Sequence, residues 1–386
     1  MDLYYSENKS CEEYFDQYSL NATVAKIHAL QTGMALEEIE TLVFSIETLR
    51  PIFEHTSRYL HKDGYKVPRT IEFDPTHNFI FIHLKTHNLE RVGKGAHKVV
   101  TTSILYDRDN PQLVANAVTK VTEALVKEIQ VLEKFKGREG IVPLISVSKH
   151  RKRSGRQVYE IITPLYNRGS LKSLLRKNPG QVPSASKIKI MRDVLKGAVT
   201  LIENGYIMRD NHCGNIFVRE TEKGYEAVLG DLGGYTDELE VALQNKPFGP
   251  SCRSCPPDIL LSYLAGTLNQ EDLLSYYVFA LGRIMYECCY ETEIPWRKKY
   301  DENYQPLKKL YYEKTDPDIY SQIESLRLDI FFHTSGRIQE LLEKEQTDPL
   351  TREERFERIA LSMISPDREQ RKTVAHWLQE LELLLE

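Results

Sequence analysis

The chain has 386 residues, a formal net charge of −5 and a hydrophobic fraction of 41%, which allows a sizeable core divided among two or three compact units. Acidic and basic residues are mixed along its length, so charge gives no case for nucleic acid or a membrane surface as the main partner. The most apolar window, Tyr276 to Tyr290, is interrupted by Arg283 and Glu287 and is too short to span a bilayer; it predicts a buried helix.

The six cysteines are unevenly placed, as for reduced thiols in a cytosol, and Cys252 with Cys255 forms a C-x-x-C that lacks the second pair of a zinc site. The first residues carry neither the basic stretch nor the apolar core of a secretory signal, so the expected location is cytoplasmic.

In chain order, residues 1–68 predict a helical N-terminal extension. Ile39, Leu42, Val43, Ile46, Leu49 and Phe53 recur at three and four, the spacing of one buried face. At Pro68 the period changes. Thr70–Phe73 and Asn78–His83 predict a hairpin around Asp74–His77, and further strands follow at Leu89–Val92, Val99–Leu105 and Leu113–Val121. Gly93-Lys94-Gly95 lies between two of these strands, where glycines let backbone N–H groups approach a phosphate; a plain turn is the alternative. Strand alternation puts Val118 and Lys120 on one face. Val121, Leu125, Glu128, Leu132 and Phe135 then recur at helical spacing, which sets a carboxylate inside an apolar stripe. A buried carboxylate needs a partner, and Lys120 is the nearest candidate; otherwise Glu128 sits at the edge of the stripe in solvent. Ile141–Ser148 and Gln157–Thr163 predict two more strands, separated by a solvated basic loop at Lys149–Gly155. Residues Thr163–Gly169 read as extended, and Ser170-Leu171 opens a helix through Leu175.

From there the chain reads as helical except at Tyr206-Ile207-Met208-Arg209-Asp210-Asn211-His212-Cys213-Gly214-Asn215 and the hairpin after it. A helix over 184–204 precedes this stretch. Ile216–Arg219 and Tyr225–Leu229 follow as two strands joined at Thr221–Gly224. A hairpin folds its ends together, so Asn215 and Asp231 become neighbours and share a small volume with Asp210, an oxygen-rich arrangement suited to Mg²⁺ and a phosphorylated substrate.

Taken in order over residues 89–386, these pieces resemble the eukaryotic-type protein kinases. Gly93-Lys94-Gly95 is similar to the start of the glycine-rich loop, Ala117-Val118-Thr119-Lys120 to the Val-Ala-Ile-Lys strand, and Glu128 to the glutamate of the helix that follows. Met208-Arg209-Asp210 with Asn215 resembles the His-Arg-Asp…Asn catalytic loop, Asp231-Leu232-Gly233 resembles Asp-Phe-Gly, and Pro256-Pro257-Asp258 stands in the place of Ala-Pro-Glu. Ser365-Pro366-Asp367 with Arg371 resembles the closing signature, whose arginine pairs in the family with the acid at Asp258.

The resemblance implies an α+β, bilobal fold: a β-rich N-lobe over 69–163 with an extra leading hairpin, then a helical C-lobe over 164–386 with an expanded helical insertion near 291–350. It implies ATP and Mg²⁺ as cofactors, a protein substrate, and transfer to Ser/Thr hydroxyls, with autophosphorylation. Implied catalytic residues are Asp210, Lys120, Glu128 and His212. Nucleotide contacts fall to Val92, Gly93, Gly95, Val100, Val118, Lys120, Thr163, Leu165 and Phe217, and metal ligands to Asn215 and Asp231. Ser251, seven residues before Asp258, favours Ser/Thr over tyrosine as acceptor. Arg209 beside Asp210 implies control by activation-loop phosphorylation at Thr236, Ser251 or Ser254. The N-terminal extension and the 291–350 insertion are the places for a docking partner.

Four positions depart from the family pattern. Lys98 replaces a loop glycine, Met208 the histidine, His212 a lysine, and Tyr277 an aspartate that braces the catalytic loop. Lys98, His212 and Tyr277 carry the rival reading, a pseudokinase that binds nucleotide or a partner without transfer. A phosphotransferase for small molecules is the third reading.

Overall fold

The computed structural model describes residues 68–74, 79–84, 93–94, 98–107, 110–120, 122–151, 157–233, 236–244, 255–296 and 318–386. The helices expected within 1–68 lie outside these residues, as do Val92, Gly95, Ser251, Ser254 and positions 297–317 of the expected insertion. The chain divides into two compact units, one made of Met1–Val121 with Ile145–Leu165, the other of Thr122–Leu144 with Tyr166–Glu386.

The first unit is a seven-stranded sheet. Its strands are β1 (Pro68–Asp74), β2 (Phe79–Leu84), β3 (Gly93–Lys94), β4 (Lys98–Asp107), β5 (Asn110–Lys120), β6 (Ser146–Arg151) and β7 (Gln157–Pro164). The spatial order is β1-β2-β4-β5-β7-β6, with β3 paired to β4, and every pairing is antiparallel. The β-branched run Val99-Val100-Thr101-Thr102 suits β4 to its place as one of the two long central strands. It pairs with β5 from Lys98↔Thr119 to Asp107↔Asn110.

Two expectations fail around β6. The strand expected over 141–148 begins only at Ser146. Ile141, which belongs to the second unit, instead makes an isolated parallel bridge to Leu229 of that same unit, and Pro143 has no N–H to donate to a ladder. The basic segment expected as a loop from Lys149 continues β6 through Arg151, because Lys149, His150 and Arg151 are held opposite Tyr159, Val158 and Gln157.

The second unit is mainly helical. It contains α1 (Glu123–Lys134), α2 (Leu171–Lys177), α3 (Ser184–Glu203), α4 (Leu239–Gln244), α5 (Pro257–Ala265), α6 (Gln270–Tyr290), α7 (Asp318–Thr347), α8 (Arg352–Met363) and α9 (Val374–Leu385). Its short strands are β8 (Gly169–Ser170), β9 (Tyr206–Met208), β10 (Ile216–Thr221), β11 (Gly224–Leu229) and β12 (Thr236–Glu238). Helix starts are fixed by side chains. Thr122 accepts from Leu125 N–H ahead of α1, and Asn269 with Asp272 forms a reciprocal capping box at α6.

Helix α6 is the apolar window of the sequence. Tyr276, Phe279, Trp296, Ile319, Ile323, Ile330, Leu361 and Ile364 form the core that joins it to α5, α7 and α8. Arg371 pairs with Asp258, as the family resemblance implies, and also donates to Ser275 Oγ (3.0 Å) and the Ser365 carbonyl (2.6 Å). The segment expected as extended over 163–169 turns instead. The Gly169 N–H donates to the Tyr166 carbonyl at 2.8 Å, with Gly169 at φ +71°. Among the described residues, no helix is long and apolar enough to cross a membrane.

Candidate active site

The polar loop that follows β9 lies along one face of α6. Tyr276 Oη donates to the Arg209 carbonyl at 2.7 Å, Arg283 Nη2 to the Asn211 carbonyl at 2.8 Å, and Cys213 Sγ to Glu287 at 3.0 Å. From 276 to 287 a helix rises about 16 Å, and four extended residues from 209 to 213 span about 13 Å. An extended loop can therefore keep pace with the helix. Its burial alternates accordingly: Arg209, Asn211, Cys213 and Asn215 are buried, whereas Asp210, His212 and Gly214 are only partly so. The alternation puts Asp210 and His212 on the same outward side.

Beyond the loop, β10 and β11 form the hairpin that the sequence predicts, from Ile216↔Leu229 to Thr221↔Gly224. Its feet are joined where the Gly230 N–H donates to the Asn215 carbonyl at 2.8 Å. This brings Asn215 to within one residue of Asp231. The hairpin is fastened to α3 by Asp193, which accepts from the Ala227 N–H at 3.2 Å. Gly230 has no room for a side chain: a Cβ there would lie 2.2 Å from the Phe217 ring. Asp231 is exposed and left-handed at φ 52°, a conformation that costs a non-glycine residue roughly 1 kcal/mol and that aspartate tolerates better than most.

Asn215 Nδ2 donates to the Asp210 carbonyl at 3.0 Å, which orients the amide and leaves Oδ1 as its accepting end. His212 Nδ1 accepts from the Gly214 N–H at 3.0 Å, so the neutral ring carries its proton on Nε2. That nitrogen lies 3.7 Å from Asp210 Oδ2. Burial pushes the Asp210 carboxyl above the usual carboxylate range, and the negative charge of Asp231 adds to this, while His212, Asn215 and Arg283 pull it back. Burial holds the His212 imidazole below its ordinary value, against the attraction of Asp210. Burial, the larger of the two causes, favours a neutral imidazole.

Arg209 is buried and pairs with Asp237 of β12, and Lys127 of α1 reaches the same carboxylate. Strand β12 is held to β9 with Thr236↔Met208 and Asp237↔Ile207. Thr236, one of the candidate phosphorylation sites of the sequence, is therefore buried in a strand pair with 1% of its surface accessible. Tyr277 is wholly buried, and its hydroxyl has no hydrogen-bond partner among the described residues. It does not brace the loop; its neighbour Tyr276 does.

Phe217 pairs opposite Ser170 on β10, with its ring 6.1 Å from that of Tyr166. Glu128 is buried in α1, in the apolar stripe that the sequence predicts. Gly93 pairs with Val100, Val99 with Val118, and Lys120 ends β5 opposite Val158; Thr163 lies opposite Ala115 on β7, and Leu165 directly follows that strand. These residues, Glu128 and Phe217 excepted, belong to the β-rich unit, whereas Asp210, His212, Asn215 and Asp231 belong to the helical one.

Sequence reasoning did not single out Tyr276, Lys127 or Asp237. The signal for Arg283 and Glu287 was present, since both interrupt an otherwise apolar helix at a spacing of four. Among the described residues, no group of three or more His, Cys, Asp and Glu gathers as for a resident metal ion.

An antiparallel β-rich unit, followed by a helical unit that carries a polar loop and a hairpin, defines the architecture of a kinase. The profile described as Protein kinase domain matches residues 86–381, and the chain belongs to that family. Comparison with curated proteins gives no match.

Proposed function

We propose that the protein is an ATP- and Mg²⁺-dependent kinase that phosphorylates Ser/Thr hydroxyls of proteins. The observation that carries this reading is the outward pairing of Asp210 and His212 on a loop braced from below, beside the joined feet that bear Asn215 and Asp231. Asp210 orients the acceptor hydroxyl and takes its proton; the neutral Nε2–H of His212 donates one hydrogen bond on the same side.

Asn215 Oδ1 and the exposed Asp231 carboxylate are the groups that would hold Mg²⁺, an oxygen-seeking ion that keeps several waters and needs only one or two protein carboxylates when it arrives with phosphates. Bound with ATP, the ion neutralises charge on the transferred phosphate. Lys120 would hold the α- and β-phosphates, with Glu128 as its expected partner. By the family resemblance, Val92, Gly93, Gly95, Val100, Val118, Thr163, Leu165 and Phe217 would contact the nucleotide. The preference for Ser/Thr rests on Ser251 in the sequence.

The test is incorporation of label from ATP into generic protein substrates, by the protein and by Asp210→Asn. Label that depends on Asp210 supports the reading, and equal incorporation by both proteins sinks it.

A second reading draws on His212, whose neutral ring lacks the full charge of a lysine: a pseudokinase that binds nucleotide and signals without transfer. A thermal shift with ATP and Mg²⁺, with no change in intact mass, favours this one.

A further inference from the structure

Asp210 is held through its neighbours. The carbonyl before it, on Arg209, accepts from Tyr276 Oη, and the carbonyl after it, on Asn211, accepts from Arg283 Nη2. Tyr276 and Arg283 are seven residues apart on α6, two turns, so both side chains leave the helix on nearly the same face. Each is almost wholly buried, at 0% and 6% accessible. A buried hydroxyl and a buried guanidinium both need partners, and here each finds one in the backbone of the same loop.

In the family pattern an aspartate stands at position 277 and braces the loop; an ionised carboxylate can only accept, so it would hold N–H groups. Tyr277 does not do so here, since its hydroxyl has no hydrogen-bond partner among the described residues. The polarity of the brace is thus reversed: donors from α6 hold carbonyls, where an acceptor would hold N–H groups. Two carbonyls that flank one residue, both fixed, leave the backbone of that residue little freedom.

We propose that Tyr276 and Arg283 are positioning residues that set the orientation of Asp210, and that together they replace the absent aspartate brace. Neither touches the reacting atoms. The inference rests on the reading of Asp210 as the base, and it makes Tyr277 compatible with an active enzyme.

The test compares Tyr276→Phe, Arg283→Met, Arg283→Lys and the double variant Tyr276→Phe/Arg283→Met. Tyr276→Phe loses only a hydroxyl, so its fold is checked by melting and its activity is directly comparable. A misplaced base predicts a kcat about tenfold lower in Tyr276→Phe and in Arg283→Met, with KM for ATP within about twofold of the parent. The double variant should lose less than the product of the two, since both donors hold one loop. Arg283→Lys, which keeps a donor and the charge, should recover part of the rate.

An unchanged kcat in folded Tyr276→Phe and Arg283→Met would overturn the proposal, as would a loss carried wholly by KM. If the parent protein transfers no phosphate, the functional reading fails, and the brace is judged by amide hydrogen exchange across 206–215. Faster exchange in folded Tyr276→Phe then supports it, and unchanged exchange overturns it.

Discussion

Arg209 and Asp237 form an ion pair in which both side chains are 4% exposed, and Lys127 approaches the same carboxylate from α1. A fixed carboxylate thus faces the arginine beside Asp210, in a position where sequence reasoning expected an activation-loop phosphate. Removal of one partner from a buried pair leaves an uncompensated charge and costs about 3–5 kcal/mol. Asp237→Ala should therefore lower the melting temperature markedly and loosen β12 from β9. Because the partner charge is built into the chain, phosphatase-treated protein should retain its activity; a loss on dephosphorylation, restored by rephosphorylation, would contradict this.

The contact between Gly230 and Phe217 predicts a steric effect at the foot of the hairpin. Gly230→Ala places a methyl group against the ring, where overpacking costs about 1–3 kcal/mol. The adjacent Asp231 would shift with it. Thermal unfolding and nucleotide titration should both show a weakened protein, and Gly230→Ala with Phe217→Leu should recover part of the loss.

The pair of Asp210 and His212 predicts the acid limb of a rate profile. Asp210 acts only when deprotonated, and burial raises its pKa, so activity should fall with decreasing pH before an ordinary carboxylate would protonate. His212→Lys supplies a permanent positive charge on the same side. It should move the acid limb to lower pH and raise kcat, both read from kcat against pH for the two proteins.

Arg371 donates to Asp258, to Ser275 Oγ and to the Ser365 carbonyl, with no exposed side-chain surface. Arg371→Met should destabilise the helical unit by about 3 kcal/mol, mostly through the acceptors it leaves unpaired. Arg371→Lys should not restore stability, because an ammonium cannot reproduce a three-way planar fork. Chemical denaturation midpoints would check both.

Tyr277 gives the opposite sign. Its buried hydroxyl lacks a partner among the described residues, so Tyr277→Phe should stabilise the protein by about 1 kcal/mol and leave kcat unchanged. Melting temperature and kcat, measured side by side, test both halves.

Helix α6, the hairpin β10–β11 and the join between Asn215 and Asp231 were legible because each follows from a local period or a two-ended fold. Arg371 with Asp258 was legible only through the family resemblance. What stayed hidden depends on long-range geometry: Tyr276 and Arg283 reach acceptors 67 and 72 residues away. The three-residue strand β12 is too short to show alternation, so Thr236 and Asp237 read as loop although pairing with β9 buries both. Pro143 and Gly169 misled in the other direction, as apolar or extended runs whose backbone chemistry ends a strand or makes a turn.

The fit between the loop and α6 also sets a reading frame. Odd-numbered positions from 209 to 213 serve as anchors, and the even-numbered ones between them are presented outward, where they can be varied without loosening the anchors. Change of residue type at an outward position alters the chemistry on offer, as His212 in place of lysine illustrates. Insertion or loss of a single residue would exchange the two sets, turning Asp210 toward the helix and its anchors toward solvent. The length of this segment is therefore under tighter physical constraint than its composition.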